Sequence, residues 1–135
     1  MKTKILTLVL SLALAACAIP VTQSEIQQAK FTPQPKQTEI DKEVNAFLKM
    51  KISNPEAAKK ECSPPRKAWA RDLSYKPANF GWLVVCDVNT KDGQGNFGPL
   101  NAYMFLFTTS GVMTYDSSSF VNINNNVQFL DLIGK

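Results

Sequence analysis

The sequence predicts an α+β domain in which an N-terminal helix packs on a three- to four-stranded antiparallel sheet. Two patterns predict it. Ile40, Val44, Phe47 and Leu48 recur at helical spacing and make one apolar face. Further on, Trp82, Val84, Cys86 and Val88 alternate with Leu83 and Val85, and Tyr103, Phe105 and Phe107 alternate with Ala102, Met104 and Leu106. That period of two is the pattern of strands. Residues 37–135 are read as this single domain, of a size that buries roughly two-thirds of the surface its unfolded chain exposes.

What precedes the domain is of another kind. Lys2 and Lys4 are followed by an apolar run from Ile5 to Ala16 and then by Cys17. A basic start, a short apolar segment and small residues before the cut make a secretory signal peptide over residues 1–16. The run falls short of the ~20 apolar residues that span a bilayer. Leu14-Ala15-Ala16-Cys17 resembles the lipobox of bacterial lipoproteins, which implies acylation of the Cys17 thiol and attachment to a membrane through the lipid. Residues 17–36 are rich in Gln, Thr and Pro and read as a lipidated, flexible tether. Extended, it would reach ~60 Å at about 3.3 Å per residue. Ala18, where an aspartate would signal inner-membrane retention, points by the same resemblance to the outer membrane, with the domain facing the periplasm.

Within the domain, Thr38 is placed to cap the helix, with Glu39 and Asp41 in its first turn. Pro55 ends it by excluding the preceding residue from helical geometry and suits the start of a second short helix over residues 55–61. Cys62-Ser63-Pro64-Pro65 breaks that helix. Trp69, Arg71 and Leu73 suggest a first strand. Residues 80–89 and 100–108 form the central pair, residues 112–115 a third strand after a Thr109-Ser110-Gly111 turn, and residues 120–123 a fourth. Asn124 to Asn126 is a polar break before a short helix or strand through Val127, Leu130 and Ile133.

Composition narrows the function classes. Fifteen Lys and Arg face eleven Asp and Glu, a formal +4. Removal of Lys2 and Lys4 with the signal peptide leaves thirteen against eleven. So slight an excess is no nucleic-acid footprint. Between residues 49 and 76 eight basic side chains meet only Glu56, Glu61 and Asp72, a solvated face that would also attract anionic lipid headgroups or envelope polymers. With Cys17 acylated, Cys62 and Cys86 remain, and two thiols in an oxidising compartment are expected to pair. No Cys-x-x-Cys spacing and no histidine support a redox or zinc site. The lack of histidine also removes Ser-His-Asp and Cys-His nucleophiles.

Gly93-Gln94-Gly95-Asn96-Phe97-Gly98 matches G-x-G-x-x-G, but Pro99 and a strand follow instead of a helix, so the run reads as a hairpin loop. Asp87, Asn89 and Asp92 suggest calcium, but Lys91 takes a ligand position and no glutamate closes the loop. No metal or cofactor is expected. The 90–99 stretch is longer than the two to five residues of most hairpin loops, and long ordered loops are often functional. It carries Lys91, Asp92, Asn96 and the aromatic Phe97. One helix covers one face of a sheet, so Leu83 and Val85 on the other face are either covered by the C-terminal segment around Val127, Phe129 and Leu130 or form an open apolar patch. Lys91, Asp92, Asn96, Phe97, Leu83 and Val85 are therefore the candidate partner-binding residues.

Asn54-Pro55-Glu56-Ala57-Ala58 is similar to an Asp-Pro-x-Ser-Ala helix start, and the run from Val84 to Asp92 with Gly95 and Phe97 resembles a Cys…Val-Asn-x-Lys-Asn…Gly-Gly-Tyr hairpin. Both recur in a family of small, functionally uncharacterised bacterial lipoproteins and exported proteins, and the resemblance covers roughly residues 44 to 113. Asn54, Ala57 and Asn96 depart from it. It implies the same exported, lipid-anchored setting and brings no activity. The chain is thus expected to be a membrane-anchored, non-catalytic lipoprotein that binds an envelope protein or polymer. The alternative is a small cell-envelope enzyme or hydrolase inhibitor acting at peptidoglycan.

Overall fold

A computed structural model describes residues 19–71, 76–116 and 127–133. The signal peptide, Cys17, Leu73, the strand expected at 120–123 and the polar break at 124–126 lie outside the described residues.

The domain is mostly sheet, which corrects the expected fold class. Among the described residues six strands pair antiparallel: β1 (Lys59–Cys62), β2 (Arg66–Ala70), β3 (Asn79–Lys91), β4 (Phe97–Thr108), β5 (Gly111–Asp116) and β6 (Val127–Phe129). The order is β5-β4-β3-β2-β6, with β1 beside β3 and in line with β2. Among the described residues two helices precede them, the short α1 (Gln23–Gln28) and the longer α2 (Gln37–Lys51). The extra strands have a physical reason to read poorly. β1 is Lys-Lys-Glu-Cys, three of whose residues are exposed, and charged residues are what an edge strand needs to avoid pairing with other chains. β6 has only three residues. The helix expected at 55–61 is a single 3-10 turn over Pro55–Ala57, after which the chain goes straight into β1.

α2 starts one residue before the expected Thr38 cap. Its first turn is closed by the Glu39 carboxylate, which accepts the Lys36 backbone N–H at 2.7 Å. Lys49 and Lys51 in its last turn complement the negative end of the helix dipole. Ile40, Val44, Phe47 and Leu48 are buried against Val84, Cys86, Val88, Phe105 and Phe107 on one face of the sheet. Phe47 meets Phe105 and Tyr103 edge-on, with ring centroids 5.3 and 5.2 Å apart. Each fully buried aliphatic or aromatic side chain here stabilises the fold by roughly 1.5–3 kcal/mol.

The opposite face holds a second cluster of Ala68, Ala70, Leu83, Met104 and Leu106, with Val85, Met113, Tyr115, Val127 and Phe129 packed against it. The C-terminal segment joins this cluster as a strand, its Ala68↔Phe129 and Ala70↔Val127 pairs extending the sheet past β2. Arg66 lies over the Phe129 ring at 3.8 Å and pairs with Asp131 at 2.6 Å. That ion pair is exposed on both sides and is worth no more than about 1 kcal/mol.

Two proline rings separate β1 from β2. Cys62 pairs with Cys86 and Arg66 with Leu83, so the β1–β2 edge has gained one residue on β3. Ser63 bridges the gap: its N–H donates to Val85 O at 2.8 Å, and its hydroxyl accepts the Val85 N–H at 3.0 Å. The expected Cys62–Cys86 disulfide is present between direct cross-strand partners. Its loop contributes about 3.5 kcal/mol in the chain-entropy model.

The stretch read as a tether contributes contacts from Thr22 onward. Thr22 and Glu25 cap α1 reciprocally, Thr22 N–H donating to Glu25 Oε2 at 2.8 Å and Thr22 Oγ1 accepting the Glu25 N–H at 3.2 Å. Phe31 packs edge-on against Phe80 and Trp82, the Trp82 indole N–H donates to Thr32 O at 2.9 Å, and Pro35 is buried. No helix among the described residues is long and apolar enough to cross a membrane.

Gly81 is where β3 lies closest to β4. A Cβ there would sit 2.2 Å from Phe107 O and 2.8 Å from its carbonyl carbon, both backbone atoms. Gly81→Ala is expected to lower unfolding free energy by about 3 kcal/mol, the upper range for forced overpacking, read from the midpoint of chemical denaturation. A midpoint equal to that of the parent protein would show that the two strands are not held at this spacing.

Candidate functional site: the β3–β4 hairpin end

The expected long loop is a tight turn on a long hairpin. β3 and β4 remain paired from Gly81↔Thr108 to Asn89↔Leu100, shift register once, and close at Lys91↔Phe97. Between them Asp92 N–H donates to Asn96 O at 2.9 Å and Gly95 N–H to Asp92 O at 3.1 Å. Gly95 has φ +82°, the left-handed residue of a three-residue hairpin loop. The Asp92 carboxylate accepts the backbone N–H groups of Gln94 at 2.8 Å and Asn96 at 2.9 Å. These bonds, the one from Asn96 foremost, hold its pKa below the ordinary aspartate value. Asn89 Nδ2 donates to Gly98 O at 3.0 Å across the register shift.

Phe97 is 40% exposed and lies between two lysines, with Lys59 Nζ 4.3 Å and Lys91 Nζ 4.9 Å from its ring centroid. Cation–π contacts at exposed sites are worth about 0.5–1 kcal/mol each. Leu100, 59% exposed, stands in the row Lys59–Asn89–Leu100 across three strands. A groove of about 450 Å³ runs along this end, lined by Lys59, Lys60, Glu61, Asp87, Asn89 and Leu100. Glu61 and Asp87 are direct cross-strand neighbours, so the groove carries two carboxylates beside Lys59 and Lys60. Lys60 bonds Asn45 of α2, fixing β1 to the helix layer. The disulfide, three residues beyond Lys59, fixes β1 to β3. Lys59 is thereby held over Phe97.

Of the six residues singled out from sequence, the structure brings Lys91 and Phe97 into contact. It places Asp92 and Asn96 in the turn, bonded to each other through the backbone. It separates Leu83 and Val85 from this end: Leu83 is buried at 2% exposure in the second core cluster, and Val85 packs beside it. They form no open apolar patch. Lys59 and Leu100 were missed. Lys59 was read as helical, and alternation alone does not show that Leu100 lies beyond the end of the core. Asp87 and Asp92 do not converge either, one lining the groove and the other tied into the turn. Among the described residues no group of three or more His, Cys, Asp or Glu could hold a metal ion.

The turn makes a direct prediction. Gly95→Ala must hold an L-residue in the left-handed region and is expected to cost about 1–2 kcal/mol. Gly93→Ala, with open space around it and no positive φ, is expected to be neutral. Paired urea titrations decide it, and equal midpoints for the two variants would refute the turn. Comparison of the chain with protein-family models, curated proteins and solved structures finds no match.

Proposed function

We propose that this chain is a membrane-anchored, periplasm-facing lipoprotein, non-catalytic, that presents the β3–β4 hairpin end to an envelope protein or polymer. The observation that carries this reading is the pairing of exposed Phe97 and Leu100 with Lys59 and Lys91 at one end of the sheet. Residues 22–32 are held at the other end, beside Arg71, Phe80 and Trp82. β3 has thirteen residues and spans roughly 40 Å between those ends at ~3.3 Å per residue. An anchor attached at Cys17 would therefore leave the hairpin pointing away from the bilayer. Aromatic and aliphatic side chains set among polar ones are the composition of a recognition surface. The Leu14-Ala15-Ala16-Cys17 sequence and the Cys62–Cys86 disulfide support an exported, oxidising location.

Two measurements test the reading separately. Cys17→Ser is expected to abolish incorporation of labelled fatty acid and to release the protein from the outer-membrane fraction. Lipid labelling that survives this change sinks the anchor. For the surface, a photo-crosslinking residue at exposed Gln94 should capture a defined partner in intact cells. Phe97→Ala combined with Leu100→Ser should reduce that capture at least tenfold while the melting temperature moves by only a few degrees. Unchanged capture by the folded, anchored double variant would remove the hairpin from the proposal.

A further inference from the structure

The segment between the anchor and α2 is docked on the sheet by a small number of contacts, and their character differs from that of the core. α1 has six residues, none of them buried, and a helix so short does not hold itself together in water. What holds it is Arg71 at the end of β2. This guanidinium is almost wholly buried, with 5% of its side chain exposed. Its Nη2 donates to both Glu25 carboxylate oxygens at 3.1 and 3.2 Å, and Nη1 donates to Lys76 O at 2.6 Å. Glu25 is its only carboxylate partner among the described residues. The second fastening is Phe31 and Thr32 on Phe80 and Trp82, with Lys67 Nζ 4.8 Å above the Phe31 ring.

These fastenings are opposed by a cost inside the same contact. Among the described residues, Arg71 Nε is buried without a hydrogen-bond partner, as is Trp69 Nε1 two residues earlier on β2. Arg71 stacks 5.7 Å from the Trp69 ring. Burying an unbonded N–H costs free energy that water would return on exposure. Beside α1 the fit is loose: a crevice of about 330 Å³ separates Glu25, Gln28 and Lys30 from Phe80 and the β4–β5 turn. The rest of the domain has its own core, to which residues 19–31 contribute no buried side chain.

We infer that residues 19–34 are a releasable strap which sets the distance between the membrane and the domain, the buried Pro35 and the Lys36 cap of α2 remaining with the domain. This rests on the anchoring at Cys17 proposed above. Docked, the strap ends at the base of the sheet and holds the domain close to the bilayer with the β3–β4 hairpin outermost. Undocked, it becomes a polar linker that would reach ~60 Å fully extended and ~25 Å on average. The hairpin then sweeps a far larger volume. Release needs the Glu25–Arg71 and Thr32–Trp82 bonds to open and Phe31 to leave Phe80 and Trp82, with α2, the sheet and the disulfide in place.

Spin labels on Gln28 and Thr109, both exposed and lining the crevice, report the strap in the purified, soluble protein carrying Cys17→Ser. This version needs no lipid. A short, narrow distance distribution with a minor long component is expected. Glu25→Ala combined with Trp82→Phe, which keeps the ring and removes the indole donor, should make the long component dominant and lengthen the mean distance by on the order of 20 Å. Thermal unfolding followed by the near-ultraviolet signal should remain a single transition within a few degrees of the parent. A distance distribution unchanged by the double variant overturns the strap. So does a double variant whose unfolding midpoint falls more than about ten degrees below the parent, because the segment is then part of the core. To keep this case decisive, Glu25→Gln alone is measured in parallel: it weakens the fastening without emptying it and should give an intermediate long fraction. The standoff is then read in the lipidated protein on vesicles, by energy transfer from a donor at Gln94 to acceptor headgroups, which should broaden in the double variant. Absence of lipid at Cys17 would defeat the anchoring reading while leaving the spin-label result standing, so the two failures are distinguishable.

Discussion

A strand buried on both faces has no water to satisfy its peptide groups, so both of its edges must be paired along their length. β3 is that strand here. Trp82, Val84, Cys86 and Val88 face the helix layer, while Leu83 and Val85 face the second cluster. β4 supplies one edge almost continuously. The other edge is completed by two short strands, because Pro64 and Pro65 cannot donate to a ladder. The Ser63 hydroxyl, accepting the Val85 N–H, is the patch that lets the edge continue across the prolines.

The hairpin end is a consequence of the same strand outrunning its cover. Both core clusters end near Val88 and Met104, yet β3 and β4 remain paired to Lys91 and Phe97. Beyond the clusters the ladder is sustained by the Asn89–Gly98 bond and by lysines laid over an aromatic ring. An apolar ring at such a place is packed by the stems and charges of its neighbours, which cover it without sealing it.

What was legible in the sequence follows from what burial writes into it. The α2 face and the centres of β3, β4 and β5 were readable, because each needs apolar residues at a fixed period. The Cys62–Cys86 bridge was readable from the number of thiols left after Cys17. β1 was not, because an exposed edge strand favours charged residues and Lys-Lys-Glu after a proline looks like a helix. Nor were the contacts of residues 22–32, where two ring stacks, a carboxylate and a carbonyl hold a polar segment that has no period to detect. At the site, Phe97 and Lys91 were legible as an aromatic and a charge near glycines. Lys59 comes from another strand, 32 residues before Lys91 and 38 before Phe97, and the pairing of β1 with β3 brings it there. Leu83 and Val85 were misplaced because alternation tells which residues share a face and not which stretch of that face is covered.

The turn at the hairpin tip settles the chemistry of its glycine-rich string. Backbone amides gathered in a tight glycine turn are the groups that elsewhere coordinate a phosphate. In this chain the amides of Gln94 and Asn96 already point at a negative charge, the carboxylate of Asp92, two and four residues back. The protein supplies its own anion. An incoming phosphoryl group would find the donors occupied and a like charge in its way, so whatever meets this tip must be read by side chains alone.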